Sequence, residues 1–272
     1  MAPEPTAGRT RGSRSGCARS SPYRAGRPEP ICCTTCTTQL RGGSMQLLIC
    51  GIHRSGTSAV AHMLSESCRR TLLEDPDWAM TGRLVDVTAP AEELARWDIL
   101  KCPRMTEVLP AALDAYPQAR AAVMVRDPRD VLCSILEKVN AGMPTRMLEF
   151  SRLGVSETGA AGFAQAYVTY ARTILSARAA AGAERVHLIR YEQFWTDRPA
   201  GIAALAAWLG WTSDREVCES IQSRQLGPFH TKHPGDQSIK GAGRWRTELS
   251  GADQAALGPA LDAYTSLCEA AR

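Results

Sequence analysis

The spacing of apolar residues along the chain predicts alternating strands and helices from about residue 45 onward. Short apolar runs, typical of buried strands, predict five strands at 47–50, 71–73, 97–100, 121–125 and 186–189. Apolar residues spaced three and four apart predict helices that begin near Val60 and cover 89–96, 105–116, 128–140, 156–181, 199–209, 213–223 and 251–271. This alternation favours an α/β fold of three α/β/α layers around a mainly parallel, roughly five-stranded sheet.

Three segments lack such a pattern. Residues 1–44 are rich in Pro, Gly, Ser, Thr and Arg, which predicts a disordered basic tail ahead of one domain over 45–272. A second interpretation of the tail is an over-extended reading frame or an added leader, with Met45 as the true start. Residues 141–156 predict a loop or a short helix, and the polar, glycine-rich residues 224–243 predict a mobile lid.

Charge and cysteine usage narrow the class of protein. The net charge is +4, but the tail holds seven arginines against two glutamates, so it contributes +5 and the rest of the chain −1. A near-neutral body does not favour a specific nucleic-acid-binding domain. The six cysteines beyond residue 45 stand singly, which predicts reduced thiols and no metal or disulfide framework. No apolar run approaches the roughly 20 residues of a membrane span, and no secretory signal is visible, so we expect a cytoplasmic protein.

Residues 51–58, GIHRSGTS, join the first predicted strand to the first predicted helix. A small-residue loop at such a junction binds anions, because its backbone N–H groups and the helix N-terminus converge on one point. Gly51 and Gly56 have the GxxxxG spacing of a P-loop, but Thr57 stands where the P-loop lysine would follow, and the cation is Arg54. The loop therefore predicts a phosphate-like ligand other than the β- and γ-phosphates of a nucleoside triphosphate. A chance glycine turn is the alternative.

Two further stretches carry candidate anion ligands. RDPRDVLCS, at 126–134, leaves a strand and enters a helix, so Arg126 and Ser134 can hold one phosphate from two sides. The alternative is an Arg–Asp network at a helix start. KGAGRWR, at 240–246, is a basic glycine loop with a single tryptophan, and by itself it would be a solvated loop.

Taken together and in this order, the three stretches resemble the P-loop-like sulfotransferases that use 3′-phosphoadenosine 5′-phosphosulfate (PAPS). GIHRSGTS is similar to their 5′-phosphosulfate loop, with Arg54 in place of the usual lysine. MVRDPRDVLCS is similar to their 3′-phosphate motif, and IKGAGRWR to their RKGxxGxWK segment, one residue shorter. The RYEQF stretch that begins at Arg190 is similar to their RYEDL stretch. The resemblance covers about residues 45–250.

This resemblance implies PAPS as the sulfate donor, 3′-phosphoadenosine 5′-phosphate (PAP) as a product, and no required metal. It implies Arg54 and Lys101 as catalytic cations on the oxygen that leaves sulfur. For Tyr191 the alternative is a core tyrosine, and for Trp245 it is a residue that holds the predicted lid in place. The residues implied in donor binding are His53, Arg54, Ser55, Gly56, Thr57, Ser58, Arg126, Ser134, Tyr191, Lys240, Gly241 and Trp245.

The general base is the least determined part of the predicted site. Many cytosolic members of the family carry a histidine two residues after the third-strand lysine, but Pro103 stands there. Other branches use a glutamate about twenty residues beyond the loop cation, and Glu74 matches that position at the end of the second strand. A solvated acidic turn is the alternative, and we expect His62 to be structural. The other candidate bases are Asp75, Asp77, His53, His230 and His233.

The predicted function is a transferase that moves a sulfuryl group from PAPS to a hydroxyl, in preference to an amine, of a small-molecule, glycan or lipid acceptor. A carboxylate base would assist in-line attack. The runners-up are a small-molecule P-loop kinase that uses ATP and magnesium, which Thr57 disfavours, and an inactive nucleotide-binding partner protein, which Pro103 favours. The Ala- and Arg-rich composition suits a bacterial cytosolic enzyme. The oligomeric state, a homodimer included, is left open.

Overall fold

Within the described residues of the computed structural model, five parallel strands form one sheet in the order β2-β3-β1-β4-β5. The strands are β1 (Leu47–Gly51), β2 (Leu72–Glu74), β3 (Ile99–Lys101), β4 (Arg120–Val125) and β5 (Val186–Arg190). Leu47 of β1 is in register with Ile99 of β3 on one side and with Arg120 of β4 on the other. The predicted parallel α/β sheet is confirmed.

The structure describes residues 45–76, 94–142, 150, 153–223 and 242–272, all within one unit, Leu40–Arg272. The tail 1–44 lies outside this part of the chain. So do most of the helix predicted over 89–96, more than half of the segment 141–156 and nearly all of the lid predicted over 224–243. The domain boundary at residue 45 and the nature of these segments therefore stay predictions.

Helices cover both faces of the sheet in the described part of the chain. They are α1 (Thr57–Cys68), α2 (Leu109–Ala115), α3 (Pro128–Asn140), α4 (Gly159–Ala181), α5 (Tyr191–Thr196), α6 (Arg198–Leu209), α7 (Arg215–Ser223), α8 (Trp245–Glu248), α9 (Gly251–Ala256) and α10 (Gly258–Ala270), with a 3₁₀ helix at Pro103–Val108. Among these residues no helix is both long and apolar enough to cross a membrane.

Alternate residues of β1 face two separate apolar cores, because successive side chains of a strand point to opposite faces. Leu48 and Cys50 pack into a core with α2, α3, α4 and α10. Leu47 and Ile49 pack into a second core with α1, α6 and α7. All four side chains are buried, so β1 lies in the middle layer and the predicted three-layer arrangement is confirmed.

Two helices are interrupted where the sequence predicts continuous ones. The region predicted over 105–116 is a 3₁₀ helix followed by α2, with Pro110 in the first turn of α2. The region predicted over 251–271 divides at Leu257, and Pro259 occupies the first turn of α10. Proline has no backbone N–H and fits the first turn of a helix better than its interior, so each proline starts a new helix.

The carboxyl ends of the parallel strands meet at one edge of the sheet, where ligands bind in open α/β folds. Glu74 and Lys101 are the last residues of β2 and β3, and they are directly paired in register. Gly51 ends β1 and begins the loop to α1, while Arg126 follows β4. The fold therefore places Glu74, Lys101, the loop that follows Gly51, and Arg126 at one edge of the sheet.

Candidate active site

Two glycines determine the path of the loop between β1 and α1. Gly51 and Gly56 have φ of 139° and 98°, and a Cβ added to either would meet a neighbour. At Gly51 the added Cβ would lie 2.6 Å from the backbone oxygen of Met124, and at Gly56 it would lie 2.8 Å from the Tyr191 ring. Arg54, between them, has a left-handed φ of 71°. Such values are uncommon outside glycine and mark a constrained loop.

Thr106, in the 3₁₀ helix, holds the first glycine of this loop in place. The Gly51 N–H donates to the Thr106 hydroxyl oxygen at 2.8 Å, and the hydroxyl donates to the Gly51 carbonyl at 3.0 Å. Thr106 is fully buried, so water does not compete for either hydrogen bond. Sequence reasoning missed this residue, because it lies outside every motif and reaches the loop only through the fold.

The loop keeps polar groups available for an anion. The Ser55 hydroxyl is buried, and no described residue offers it a hydrogen bond. In the same part of the chain no side chain caps the first turn of α1, which follows Gly56. A buried unpaired hydroxyl costs about 1–3 kcal/mol, and uncapped helix N–H groups favour negative charge. These features fit a phosphate-like group at the loop.

Arg126 and Ser134 are buried beside the same loop. The Arg126 Nη1 donates to the Arg54 carbonyl at 2.9 Å, and the Arg54 Nε donates to the Ser134 hydroxyl at 3.1 Å. The Arg126 Nε is buried and has no hydrogen-bond partner among the described residues. The motif that begins at Arg126 is therefore in direct contact with GIHRSGTS. It contributes a buried guanidinium with an unused donor. The Arg–Asp network considered above also forms, between Arg129 and Asp127 at the start of α3, where the Arg129 Nη2 lies 2.6 Å from the Asp127 Oδ2.

Tyr191 packs between the two motifs. Its buried ring lies against Gly56, and the Arg126 guanidinium carbon is 4.0 Å from the ring centroid. Burial raises the pKa of the Tyr191 hydroxyl above its ordinary value. Next to it, Glu192 accepts from the Asp127 N–H and from the Tyr264 hydroxyl, both at 2.9 Å. The RYE stretch thus supports the loop that follows β4.

The C-terminal stretch docks on the first turns of α3. The Asp130 carboxylate, which is 1% exposed, accepts from the Gly243 N–H at 2.7 Å and from the Trp245 N–H at 3.3 Å. The Trp245 ring is half-buried, and the Arg129 guanidinium carbon lies 3.6 Å from its centroid. Lys240 and Gly241 lie outside the described residues, so their roles stay predictions.

Glu74 and Lys101 form the centre of a charged cluster at the ends of β2 and β3. The Lys101 Nζ lies 3.1 Å from the Glu74 Oε1 and 2.6 Å from the Asp75 Oδ2. The other Glu74 oxygen, Oε2, lies 3.0 Å from the His62 Nε2. The Lys101 side chain is 5% exposed, and that of Glu74 is 20% exposed. An ammonium group this buried is stabilised by its two carboxylate partners.

The surroundings keep Glu74 ionised. Burial alone would raise the pKa of its carboxyl, but the hydrogen bond with His62, the charge of Lys101 and a hydrogen bond with Ser58 outweigh burial. Together they hold the pKa of Glu74 well below its ordinary value. Ser58 is in the first turn of α1, so this cluster adjoins the GIHRSGTS loop.

The sulfotransferase family model matches residues 70–215 of this chain, which is more than half of it. The chain belongs to the sulfotransferase family. The resemblance and the enzyme class predicted from the motifs are thereby confirmed. The matched range includes Glu74, Lys101, Arg126, Ser134 and Tyr191. No curated protein matches the sequence.

Two solved sulfotransferase structures share the fold. A sulfotransferase from Alicyclobacillus acidocaldarius is 17% identical, with 84% of this chain and 96% of that one covered and a TM-score of 0.52. A mouse sulfotransferase complexed with PAP is 16% identical, with 83% and 88% covered and a TM-score of 0.53. At these identities the likeness supports the P-loop-like fold alone.

The other predicted site residues of this sulfotransferase lie either near the loop or outside the described part of the chain. His53, Thr57 and Ser58 lie in the loop or the first turn of α1, with Thr57 buried and the other two half-buried. Asp77, His230 and His233 lie outside the described residues. His62, expected to be structural, contacts Glu74. Its spacing of four residues from Ser58 was the available signal, since both then face the same side of α1.

The cysteines of the described residues are all free. Cys50, Cys102, Cys133 and Cys218 are buried, and Cys68 and Cys268 are half-buried. Burial raises the pKa of Cys50 to about 12 and that of Cys102 to about 11. The Cys50 and Cys102 thiols are therefore protonated at neutral pH. No group of three or more His, Cys, Asp or Glu residues within the described part of the chain is placed to hold a metal ion.

Proposed function

We propose that this protein transfers a sulfuryl group from PAPS to a hydroxyl of an acceptor. The observation that carries the proposal is the meeting, at one edge of the sheet, of an anion loop, a buried arginine–serine pair and a lysine–glutamate pair. The first two fit the two anionic ends of PAPS, and the third supplies a cation and a base. A site for one phosphate alone would not need two separate sets of anion ligands.

The described residues that would hold the donor belong to two motifs. The loop N–H groups, Ser55 and the first turn of α1 would hold the 5′-phosphosulfate, while Arg126 and Ser134 would hold the 3′-phosphate. Tyr191 would support both phosphate sites, since its ring contacts Gly56 and Arg126. When bound, PAPS supplies the sulfuryl group that the acceptor takes. We assign donor binding also to His53, Lys240, Gly241 and Trp245, as the motifs imply.

Arg54 and Lys101 would stabilise the negative charge that grows on the leaving oxygen. Arg54 sits inside the loop, and Lys101 is buried next to β1, where the Cys102 N–H donates to the Ile49 carbonyl. Cations in a water-poor site act strongly on developing charge, and removal of one such contact commonly costs about 100-fold or more in rate.

Glu74 would accept the proton of the acceptor hydroxyl. Its lowered pKa keeps the carboxylate ionised across the neutral range. Such a carboxylate accepts the proton as the attack on sulfur makes the hydroxyl acidic, and general-base assistance of this kind contributes roughly 100- to 10,000-fold. Asp75 contacts the same Lys101 ammonium, so we assign the role to Glu74 because it matches the family's position at the end of the second strand.

We assign the acceptor by its reacting group, which is a hydroxyl, in preference to an amine, on a small molecule, a glycan or a lipid. The Ala- and Arg-rich composition and the reduced cysteines support a bacterial, cytoplasmic enzyme. No metal is assigned to the reaction, because the charge on the leaving oxygen already has two protein cations to stabilise it.

Calorimetric titration separates this proposal from an ATP-dependent kinase. PAP and ATP–magnesium would be titrated into the wild type and into Arg126→Met, which keeps side-chain length and removes the guanidinium. We expect PAP to bind more tightly than ATP–magnesium, and Arg126→Met to lose most of that preference. Equal or tighter binding of ATP–magnesium would overturn the donor assignment.

A turnover assay separates an enzyme from an inactive partner protein. Candidate acceptors would be incubated with PAPS and screened by mass spectrometry for the gain of one sulfuryl group. Glu74→Gln should keep PAP affinity and lose turnover by roughly 100-fold or more. Unchanged turnover in this variant would remove Glu74 from the mechanism.

A further inference from the structure

Two side chains of α1 converge on Glu74. Ser58 and His62 are four residues apart, so they project from the same side of the helix one turn from each other. Ser58 hydrogen-bonds to Glu74, and the His62 Nε2 lies 3.0 Å from the Glu74 Oε2. The helix that begins at the donor loop therefore also contacts the proposed base.

The two oxygens of the Glu74 carboxylate have different partners. Oε1 faces the Lys101 ammonium at 3.1 Å, and Oε2 faces His62. An ionised carboxylate only accepts hydrogen bonds, so the His62 Nε2 is the donor of this contact. With one partner from β3 and another from α1, the plane of the carboxylate is fixed with respect to both elements.

From this geometry we infer that His62 is a positioning residue that orients the Glu74 carboxylate for proton acceptance. The inference rests on the proposed function of Glu74 as the base. The His62 contact at Oε2 adds a second fixed point to the Lys101 contact at Oε1, and so restricts rotation of the carboxylate. Loss of such orientation typically costs roughly 10- to 100-fold in rate with little change in donor affinity.

His62 also affects the protonation of Glu74. The titratable groups of the described residues that face this carboxylate are Lys101 from β3 and His62 from α1, and Asp75 contacts the same Lys101 ammonium. The hydrogen bond with His62 lowers the pKa of Glu74. Removal of the bond must therefore raise that pKa and move the acidic limb of the turnover profile to higher pH.

The test uses two variants of similar length that differ in hydrogen bonding. His62→Gln keeps an N–H donor, and His62→Met has none. The Glu74 carboxyl would be titrated by carbon-13 NMR in each protein, PAP affinity would be measured by calorimetry, and turnover would be followed with PAPS and an acceptor identified by mass spectrometry. His187→Gln is the control, because His187 stacks on Trp208, with ring centroids 5.0 Å apart, away from these residues.

We expect His62→Met to titrate Glu74 at higher pH, to keep wild-type PAP affinity and to lose roughly 10- to 100-fold in turnover, with substantial recovery in His62→Gln. His187→Gln should match the wild type. Wild-type turnover in His62→Met, alongside a collapsed Glu74→Gln, would overturn the His62 inference alone. Wild-type turnover in Glu74→Gln would instead overturn the proposed base.

Discussion

Gly56 combines a left-handed backbone with a close neighbour, and both features bear on the donor loop. Its φ is 98°, and an added Cβ would lie 2.8 Å from the Tyr191 ring. Gly56→Ala should therefore lose about 2–4 kcal/mol in the free energy of unfolding, from backbone strain and overpacking together. We also expect weaker PAP binding, because the Tyr191 ring or the loop must move. Denaturant titration and calorimetry measure the two effects.

Gly142 offers a matched control for this substitution. Its φ of 91° is close to that of Gly56, but an added Cβ would meet nothing within 4 Å. Gly142→Ala should thus show the backbone strain alone, about 1 kcal/mol, with unchanged PAP affinity. If the two alanine variants were equally stable, the contact with Tyr191 would not be a constraint on the loop.

Thr106 gives a second residue-scale prediction. Thr106→Val keeps the shape of the side chain but removes the hydroxyl, which leaves the buried Gly51 N–H without its partner. The free energy of unfolding should fall by about 1–3 kcal/mol, and PAP affinity should fall as the start of the loop loosens. Thr106→Ser, which keeps the hydroxyl, should retain most of both quantities. Wild-type behaviour of Thr106→Val would show that the loop does not depend on this contact.

Residues that act through a local motif are predictable from sequence, whereas residues that act through the fold are not. Arg54 and Arg126 are in contiguous patterns of recognisable spacing. Thr106 reaches Gly51 across 55 positions of the chain, and His62 reaches Glu74 from a different element. The Thr106 contact leaves no pattern in a single sequence, because its hydrogen bonds form only once the sheet has brought the elements together. For His62 the sequence offers only its spacing from Ser58, which does not identify Glu74 as the partner.

At the scale of elements, the Asp130 carboxylate connects α3 to the start of α8. It is buried and accepts from two backbone N–H groups, those of Gly243 and Trp245. Asp130→Asn replaces one acceptor oxygen by an amide group, so one N–H must lose its partner. We expect faster hydrogen exchange at Gly243 and Trp245 and a loss of about 1–3 kcal/mol in the free energy of unfolding.

Asp262, an exposed aspartate on α10, provides the control for that experiment. Asp262→Asn should leave both the exchange rates at Gly243 and Trp245 and the stability of the protein unchanged. Exchange at these two amides as slow in Asp130→Asn as in the wild type would show that α8 is held by other contacts, such as the ion pair between Arg244 and Glu137.

Apolar spacing predicts the type and order of the elements better than their ends. The strands predicted at 71–73 and 97–100 are shifted by one or two residues, to Leu72–Glu74 and Ile99–Lys101. The helix α5 was not predicted, because six residues directly after β5 give too short an apolar period to recognise. Element ends depend on hydrogen bonds to other parts of the chain, which a pattern of apolar residues does not contain.

At the scale of the whole molecule, the ionisation of Glu74, the proposed base at the end of β2, makes the stability of the protein depend on pH. The pKa of Glu74 is lower in the folded protein than its ordinary value of 4.5. A group with a depressed folded-state pKa adds stability above its unfolded pKa, and this stability is lost as the pH falls through the folded-state pKa. The contribution of Glu74 is therefore complete at neutral pH and declines below about pH 4.5.

Urea denaturation of the wild type and Glu74→Gln at a series of pH values tests this coupling. The wild type should be more stable at pH 7, and its advantage should shrink as the pH falls below about 4.5, because the unfolded state then binds a proton at Glu74 that the folded state does not. Glu269→Gln, at an exposed position of α10, should show no such trend. A stability difference between wild type and Glu74→Gln that stays constant down to about pH 3 would mean that His62 and Lys101 do not depress the pKa of this carboxyl, and the cluster would then act through packing alone.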